Sequence, residues 1–314
     1  MFGSTVASAA VLDFTDQVVV VTGAGRGLGR LYARELARRG AAVVVNDVGG
    51  TMQGAGSDPV VADRVVAEIE AAAGVAVPSY NSVDTPEGGG AIVATAHDRF
   101  GRLDAVVSNA GIFQTLPFED LSPSDWRRMI DVHLHGGFFL AQPAFTAMRR
   151  QGYGRFVFVA SSAGLFGQPN SAHYAAAKAG LVGLANAIAI EGAEHGILAN
   201  TVLPFGTTRM VTETVGADGD SAFLRAIAPE LVVPLVVVLA SRDCAVTHHN
   251  YSACAGRFAR AFVGLGQGWL APAGSAPTAE DVAAHWDEVS APDPYMVPTS
   301  ISDEVAEVCE RLGL

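Results

Sequence analysis

Lysine is almost absent from this sequence of 314 residues. Lys178 is the only one, and every other basic residue in the Lys and Arg total of 20 is arginine. The formal net charge is −12 and the basic residues form no long run, so the basic face expected of a nucleic-acid-binding protein is missing. No apolar stretch approaches the roughly 20 residues that a membrane-spanning helix needs. We therefore expect neither a nucleic-acid partner nor a membrane partner.

Cysteine is also scarce. The three cysteines are odd in number and show no CxxC spacing, which favours free thiols over a disulfide framework. Of the eight histidines, His248 and His249 are adjacent and do not share a helix face, and surface or capping roles are expected for the histidines instead of a metal site. These patterns predict a cytoplasmic protein with no metal site.

Apolar residues, in contrast, make up 50% of the chain, enough for a large core. Short Val-rich runs alternate with helical stretches, and the runs are nearly continuous in apolar residues, as in strands buried on both faces. This alternation predicts an α/β fold, a single Rossmann-type doubly wound parallel sheet with helices on both faces. Strands are expected at 17–21, 42–46, 75–79, 103–107, 155–160 and 198–203, and helices at 27–39, 59–73, 88–100, 124–150 and 172–193.

The pattern loosens after the sixth predicted strand. Residues 207–226 have mixed polarity and suit a substrate lid, whereas 260–263 are the expected last strand. We expect residues 1–270 to form one catalytic domain. The Pro-rich residues 271–314 are expected to be a C-terminal extension packed on the same domain.

A glycine-rich turn, TGAGRGLGR at residues 22–30, follows the first predicted strand. Glycines there allow a pyrophosphate to approach the backbone, and the next helix offers N–H groups and the positive end of its dipole. The place of the turn between a strand and an amphipathic helix favours a dinucleotide site. The expected contacts are Gly23, Arg26, Gly27, Leu28 and Gly29.

An acidic residue, Asp47, ends the second predicted strand, eighteen residues after Gly29. A carboxylate near this spacing accepts hydrogen bonds from the adenosine ribose hydroxyls and repels a 2′-phosphate. Arg26 weakly favours the opposite choice, because a guanidinium in the glycine turn could meet that phosphate. The carboxylate would be closest to the ribose, so NAD is the expected cofactor and NADP the alternative.

Two further loops carry candidate cofactor contacts, since loops at the carboxyl ends of strands line the crevice of a doubly wound sheet. The candidates are Asn81, Ser82 and Val83 after the third strand, and Asn109, Ala110 and Gly111 after the fourth. Asn109 and Gly111 are equally well explained as structural braces.

The single lysine lies in the sequence YAAAK. Tyr174 and Lys178 are four residues apart and share one helix face. A buried ammonium beside a phenol lowers the phenol pKa from about 10, so Tyr174 would exchange a proton with a substrate hydroxyl or carbonyl. Ser161, thirteen residues earlier, follows the fifth strand and would hold the same substrate oxygen.

These motifs together resemble the short-chain dehydrogenase/reductases. TGAGRGLG is similar to the family's TGxxxGxG, SNAG to its NNAG and YAAAK to its YxxxK, and Ser161 has the family's distance to Tyr174. The resemblance implies catalysis by Ser161, Tyr174 and Lys178, with Tyr174 and Lys178 also touching the cofactor. The Pro-Gly stretch after the sixth strand adds the expected cofactor contacts Pro204, Gly206 and Thr207.

Two positions depart from the family pattern. Ser108 replaces the first asparagine of NNAG, a mild change. His133, in DVHLHG, stands where the family usually has an asparagine that supports a proton relay from the lysine to solvent. His133 is therefore expected either to serve in that relay or only to hold a backbone kink.

A narrower resemblance is to the (3R)-hydroxyacyl-CoA dehydrogenase domains of peroxisomal multifunctional enzymes type 2 and to their bacterial single-domain relatives. VVVNDVGG, DVHLHG and PELVVPLVVVLAS carry it. It implies NAD-dependent oxidation of a 3-hydroxyacyl-CoA. Arg209, beside the lid, is a candidate contact for a CoA phosphate and is equally well explained as a helix-end residue. The alternatives are a hydroxysteroid dehydrogenase, an NADPH-dependent 3-ketoacyl-carrier reductase and a non-catalytic nucleotide-sensing protein. The apolar helix at 172–193 and the resemblance both favour a homodimer or homotetramer.

Overall fold

The computed structural model describes residues 11–207 and 222–313. The chain divides into two compact units, Met1–Arg260 and Ala261–Leu314. Most of the predicted lid, together with Arg209, falls outside the described residues. The predicted packing of the C-terminal extension on the catalytic domain stays a prediction.

Eight strands of the first unit form one sheet, which extends to Ala261. They are β1 Val18–Thr22, β2 Ala42–Asn46, β3 Val75–Ser79, β4 Ala105–Ser108, β5 Gly154–Val159, β6 Ile197–Phe205, β7 His249–Cys254 and β8 Arg257–Ala261. Their order is β3-β2-β1-β4-β5-β6-β7-β8, and β1 to β7 pair in parallel. The order reverses between β1 and β4, so the carboxyl ends of these two strands form the crevice where doubly wound sheets bind ligands.

Helices cover both faces of the sheet, as predicted. They are α1 Gly27–Arg38, α2 Val60–Ala71, α3 Pro86–Phe100, α4 Pro123–Ile130, α5 Gly136–Gln151, α6 Ser162–Phe166, α7 Ala172–Gly192, α8 Ala222–Ala226 and α9 Val233–Ala240. β1 divides the core by its alternation: Val19 and Val21 pack with α1, α2 and α9, whereas Val18 and Val20 pack with α3, α5 and α7. Because both faces of the strand are covered, all five residues of β1 are buried.

The second unit has its own short elements. They are β9 Leu265–Gly266, α10 Ala279–Ala284, α11 Trp286–Val289, β10 Tyr295–Met296 and α12 Ile301–Leu312. β9 and β10 pair antiparallel. Thr278 and Asp281 form a capping box at the start of α10, which satisfies N–H groups that the first helical turn leaves free.

Two predicted elements differ from the structure. The predicted helix at 124–150 contains a π-helical turn, Asp131–His135, between α4 and α5. The chain stays helical through this turn, because a single turn with i→i+5 hydrogen bonds can be inserted into an α-helix. The last strand, predicted within 250–264 and around 260–263, is β8 at Arg257–Ala261, which overlaps the predicted position only at its end, and β7 was not predicted as a separate strand. β7 has no continuous apolar run, since its sequence HNYSAC mixes polar and apolar residues, and its pairing with β6 defines it instead.

Arg155 at the start of β5 is a buried structural cation. Its guanidinium donates to the carbonyl oxygens of Gly154, Gly196, Ser241, Arg242 and Cys244 at 2.9 to 3.4 Å. It also lies 4.4 Å from the centre of the Tyr153 ring. These hydrogen bonds join the amino end of β5 to the segments before β6 and after α9, at the end of the sheet opposite the crevice.

We expect Arg155→Met to lower the free energy of unfolding by about 3 kcal/mol, because it leaves several buried carbonyls without donors. Urea denaturation measures this loss. The control is Arg38→Met: the Arg38 side chain is 65% exposed, and its ion pair with Glu35 contributes roughly 1 kcal/mol or less. Equal losses in the two variants would contradict the structural role of Arg155.

Candidate active site

A cleft of about 420 Å³ opens at the carboxyl ends of the parallel strands. It brings together most of the residues that the sequence analysis selected. The predicted residues that line it are Gly23, Arg26, Gly27, Leu28, Gly29, Asp47, Asn81, Ser82, Val83, Asn109, Ala110, Gly111, His133, Tyr174, Lys178, Pro204 and Gly206.

The glycine-rich turn has the backbone that its sequence indicates. Gly23 has φ +61°, a left-handed conformation that a side chain disfavours. A Cβ on Gly29 would lie 2.1 Å from the carbonyl oxygen of Gly23, so no larger residue fits. The turn therefore brings bare backbone to the cleft at the amino end of α1, where N–H groups are available to an anion.

Asp47 holds the turn in place. Its Oδ2 accepts a hydrogen bond from the Gly25 N–H at 2.8 Å, and its Oδ1 accepts one from the Gly49 N–H at 2.7 Å. The Arg26 guanidinium donates to the Gly50 carbonyl at 2.9 Å. Asp47 thus combines a place in the lining of the cleft with a bracing role that the sequence did not indicate.

Asn109 is a brace between β1 and β4. Its Nδ2 donates to the carbonyl oxygens of Thr22 and Gly23 at 2.9 and 3.2 Å. The backbone N–H groups of Asn109 and Ala110 both donate to the Thr22 Oγ1 at 3.0 Å. Of the two explanations for Asn109, the structure shows the brace, although its side chain also lines the cleft.

Thr22 was missed by the sequence analysis. It follows four valines in β1 and is fully buried. A buried hydroxyl at the end of an apolar strand needs hydrogen-bonding partners, and this signal was present in the sequence.

Tyr174, Lys178 and Ser161 lie at one end of the site. Tyr174 is 7% exposed and Lys178 is 4% exposed, both on the inner face of α7. The Lys178 Nζ donates to the Val159 carbonyl at the end of β5 at 2.6 Å. Ser161 caps α6, and its Oγ accepts a hydrogen bond from the Ala163 N–H at 3.2 Å.

The predicted lowering of the Tyr174 pKa is wrong in direction for the protein's own groups. Burial raises the pKa of Tyr174, and hydrogen bonding to the Ser161 side chain opposes that rise. The Lys178 Nζ lies 5.7 Å from the centre of the phenol ring. Burial also lowers the pKa of Lys178 to about 7, which weakens the ammonium as a source of positive charge near neutral pH.

His133 lies in the π-helical turn and is buried against the cleft wall. Its Nε2 is 2.8 Å from the Ile112 carbonyl oxygen, and its ring meets the Tyr174 ring edge-on at 5.3 Å. Burial, and then the charge of Lys178, lower the His133 pKa well below its usual value. The structure therefore places a neutral imidazole as a support for the loop at Ile112, while its Nδ1 is buried with no partner among the described residues.

Two predicted residues lie outside the lining of the cleft, so far as the described part of the chain forms it. Ser161 is hydrogen-bonded to Tyr174, which itself lines the cleft. The Thr207 hydroxyl donates to the Leu224 carbonyl at 2.7 Å, and the Thr207 N–H donates to the Ile227 carbonyl. Thr207 therefore connects the segment after β6 to α8 and to the residue that follows α8. Ile112 and the loop after β2 also line the cleft, although neither was predicted from the sequence.

Residues 11–207 and 222–313 contain neither a candidate metal site nor a candidate membrane-spanning helix. No group of His, Cys, Asp and Glu side chains there could hold a metal ion. Within the same ranges, no helix is both long enough and apolar enough to cross a membrane.

Comparisons with known proteins agree with this geometry. The family model for short chain dehydrogenase matches residues 17–219. A short-chain type dehydrogenase/reductase of Mycobacterium tuberculosis is 43% identical over 277 residues, which are 88% of this chain and 94% of that protein. A crystal structure of a short chain dehydrogenase from Mycobacterium avium superimposes with a TM-score of 0.76 and 34% identity, covering 90% of this chain and 98% of that one.

The mouse peroxisomal multifunctional enzyme type 2 is a longer relative. It is 45% identical over 236 residues, which are 75% of this chain but only 31% of that enzyme. This chain thus spans about a third of the mouse enzyme's length. With its fold, its cleft and the family model in agreement, the chain belongs to the short chain dehydrogenase family of oxidoreductases.

Proposed function

We propose that this protein is an NAD-dependent dehydrogenase that oxidises the secondary alcohol of a (3R)-hydroxyacyl-CoA to a ketone, or catalyses the reverse reaction. One observation carries the proposal: Tyr174 and Lys178 are buried side by side in the same cleft that holds Asp47 and the glycine turn. The cleft thus combines an acid–base group with the residues expected to hold a dinucleotide.

The residues fit a nicotinamide dinucleotide. A side chain at Gly29 would collide with backbone, so the turn keeps open the close approach that a pyrophosphate needs. Asp47 would hold the adenosine ribose, and its negative charge supports NAD over NADP. Lys178 would hold the nicotinamide ribose, and Asn81, Ser82 and Val83 would border the adenine.

The chain's own groups would manage the proton. When bound, the nicotinamide supplies the acceptor for the hydride that leaves the alcohol carbon. Tyr174 takes the hydroxyl proton as general base. Ser161 donates a hydrogen bond to the same oxygen and stabilises the charge that develops on it.

The names of the relatives support the proposed substrate class. The multifunctional enzymes that resemble this chain are peroxisomal, and one from Saccharomyces cerevisiae is named a hydratase-dehydrogenase-epimerase. The dehydrogenase activity in that name supports an alcohol substrate of the same class for this chain. A hydroxysteroid remains the main competing substrate, because the same Ser161, Tyr174 and Lys178 chemistry would oxidise it.

We also propose that the protein forms a homodimer or homotetramer in the cytoplasm. Apolar side chains on α5 and α7 support an assembly: Phe138 is 42% exposed and Ile190 is 52% exposed. Such side chains are common where subunits meet.

The substrate and cofactor are tested together by NADH or NADPH formation. We expect oxidation of a (3R)-hydroxyacyl-CoA with NAD, and much slower oxidation with NADP, because Asp47 repels the 2′-phosphate. The (3S) ester and a 17β-hydroxysteroid are the comparison substrates. Turnover of the steroid alone would overturn the acyl-CoA assignment, and a preference for NADP with a 3-ketoacyl thioester would favour a reductase.

Tyr174→Phe tests the acid–base assignment. We expect kcat/KM to fall by about 10³-fold, since general acid–base catalysis commonly contributes about this much, while NADH affinity measured by fluorescence stays within about twofold. Tyr32→Phe is the matched control, because Tyr32 is a fully buried tyrosine of α1 whose hydroxyl has no partner among the described residues. Full activity of Tyr174→Phe would refute the mechanism.

The pH dependence tests the contact between Ser161 and Tyr174. Hydrogen bonding to Ser161 lowers a Tyr174 pKa that burial has raised, so Ser161→Ala should raise it further. The rising limb of the pH profile of kcat/KM for oxidation should therefore move to higher pH. Ser162→Ala, at the next position, should leave the profile in place. An unshifted profile in Ser161→Ala would show that the two hydroxyls do not interact.

A further inference from the structure

The loop between β2 and α2 crosses the side of the cleft. It covers residues 48–58, and we call it the strap. Its neck is closed by a hydrogen bond from the Asp58 N–H to the Val48 carbonyl at 2.9 Å. Gly49 forms the neck with φ +76°, and a Cβ there would lie 2.1 Å from the Asp58 carbonyl oxygen. The strap therefore begins and ends close to Val48, beyond the end of β2, as a compact loop with its ends together.

The tip of the strap has a defined shape. The Thr51 N–H donates to the Ala55 carbonyl at 2.8 Å, and the Gly54 N–H donates to the Thr51 carbonyl at 3.0 Å. The Thr51 hydroxyl accepts a further hydrogen bond from the Ala55 N–H at 3.1 Å. Five residues of the strap line the cleft: Val48, Gly50, Thr51, Met52 and Gly54.

The strap is fastened at both sides of the cleft. Near its neck, Asp47 and Arg26 bind Gly49 and Gly50. At its tip, the Phe113 N–H donates to the Met52 carbonyl at 2.9 Å. The strap thus extends from Asp47, the residue expected to bind the adenosine ribose, to Phe113 at the end of the cleft that contains Tyr174.

The contact at the tip of the strap is connected to Tyr174 through Phe113. The Met52 side chain packs against a buried cluster that contains Ile112, Phe113 and Tyr174. The Phe113 ring meets the Tyr174 ring edge-on with 5.2 Å between their centres. A displacement of the tip would therefore remove packing from the side of the catalytic phenol.

We propose that the strap closes over a nicotinamide dinucleotide in this cleft, and that its tip must leave Ile112 and Phe113 before the dinucleotide can dissociate. Met52 and Gly54 are then positioning residues for the cofactor and, through Phe113, for Tyr174. The inference rests on the proposed function, because a ligand that reaches from Asp47 to Tyr174 must pass along the strap. A ligand limited to the adenosine end would not need the tip.

Two strap glycines provide a matched pair of variants. Gly54 and Gly56 have φ +81° and +76°, so alanine strains the backbone similarly at both. A Cβ on Gly54 would lie 3.0 Å from the Ile112 side chain, whereas a Cβ on Gly56 would meet nothing within 4 Å. Met52→Ala is a third variant that removes tip packing without backbone strain.

The experiment measures NADH dissociation by stopped-flow fluorescence and AMP affinity by calorimetry. We expect Gly54→Ala and Met52→Ala to release NADH about tenfold faster, the size of effect that a modest loss of packing produces. Gly56→Ala should stay within about twofold of the unmodified protein, and AMP affinity should be unchanged in all three. Thermal unfolding of each variant verifies that it is folded, and Met52→Ala keeps the test valid if Gly54→Ala does not fold.

The outcomes separate the strap from the proposed function. Wild-type NADH binding with equal release rates in all variants would overturn the strap alone. Weakened AMP binding in Gly54→Ala and Met52→Ala would also overturn it, because the tip would then act on the adenosine end. Absence of NADH and NADPH binding to the wild-type protein would overturn the proposed function and the strap together.

Discussion

The hydrogen bonds between Thr22 and the Asn109 loop are the constraint on which the site depends. They join the carboxyl ends of β1 and β4, the two strands between which the sheet order reverses. The glycine turn continues from Thr22, and the loop to Ile112 continues from Asn109. If this junction loosened, the two sides of the cleft would lose their relative position. The buried Thr22 and the half-buried Asn109 amide thus fix where a dinucleotide could lie.

Much of the fold and of the site could be predicted because the signals are local. Strands buried on both faces read as apolar runs, and the glycine turn and the YAAAK sequence place their groups through the geometry of one turn or one helix face. Gly23, Gly29, Tyr174 and Lys178 accordingly line the cleft as the sequence indicates. The polar strand β7 escaped prediction because its pairing with β6 defines it, and pairing is a long-range property.

The electrostatics could not be predicted from spacing. The positions of Tyr174 and Lys178 indicate that they share a helix face, but not how completely both are buried. Burial raises the pKa of Tyr174 and lowers that of Lys178, so desolvation outweighs the mutual effect expected from the pair. The strap was not predicted for a similar reason: the position of Met52 is determined by its contact with Phe113, which is sixty-one residues later in the chain.

The central claim is that one dinucleotide joins the Asp47 end of the cleft to the Tyr174 end. A crystal structure of the protein with NAD bound tests it most directly. We expect the adenosine ribose hydroxyls to lie within hydrogen-bonding distance of Asp47 and the nicotinamide ribose hydroxyls to lie within that distance of Lys178. A dinucleotide bound in the reverse direction, or bound outside this cleft, would contradict the account.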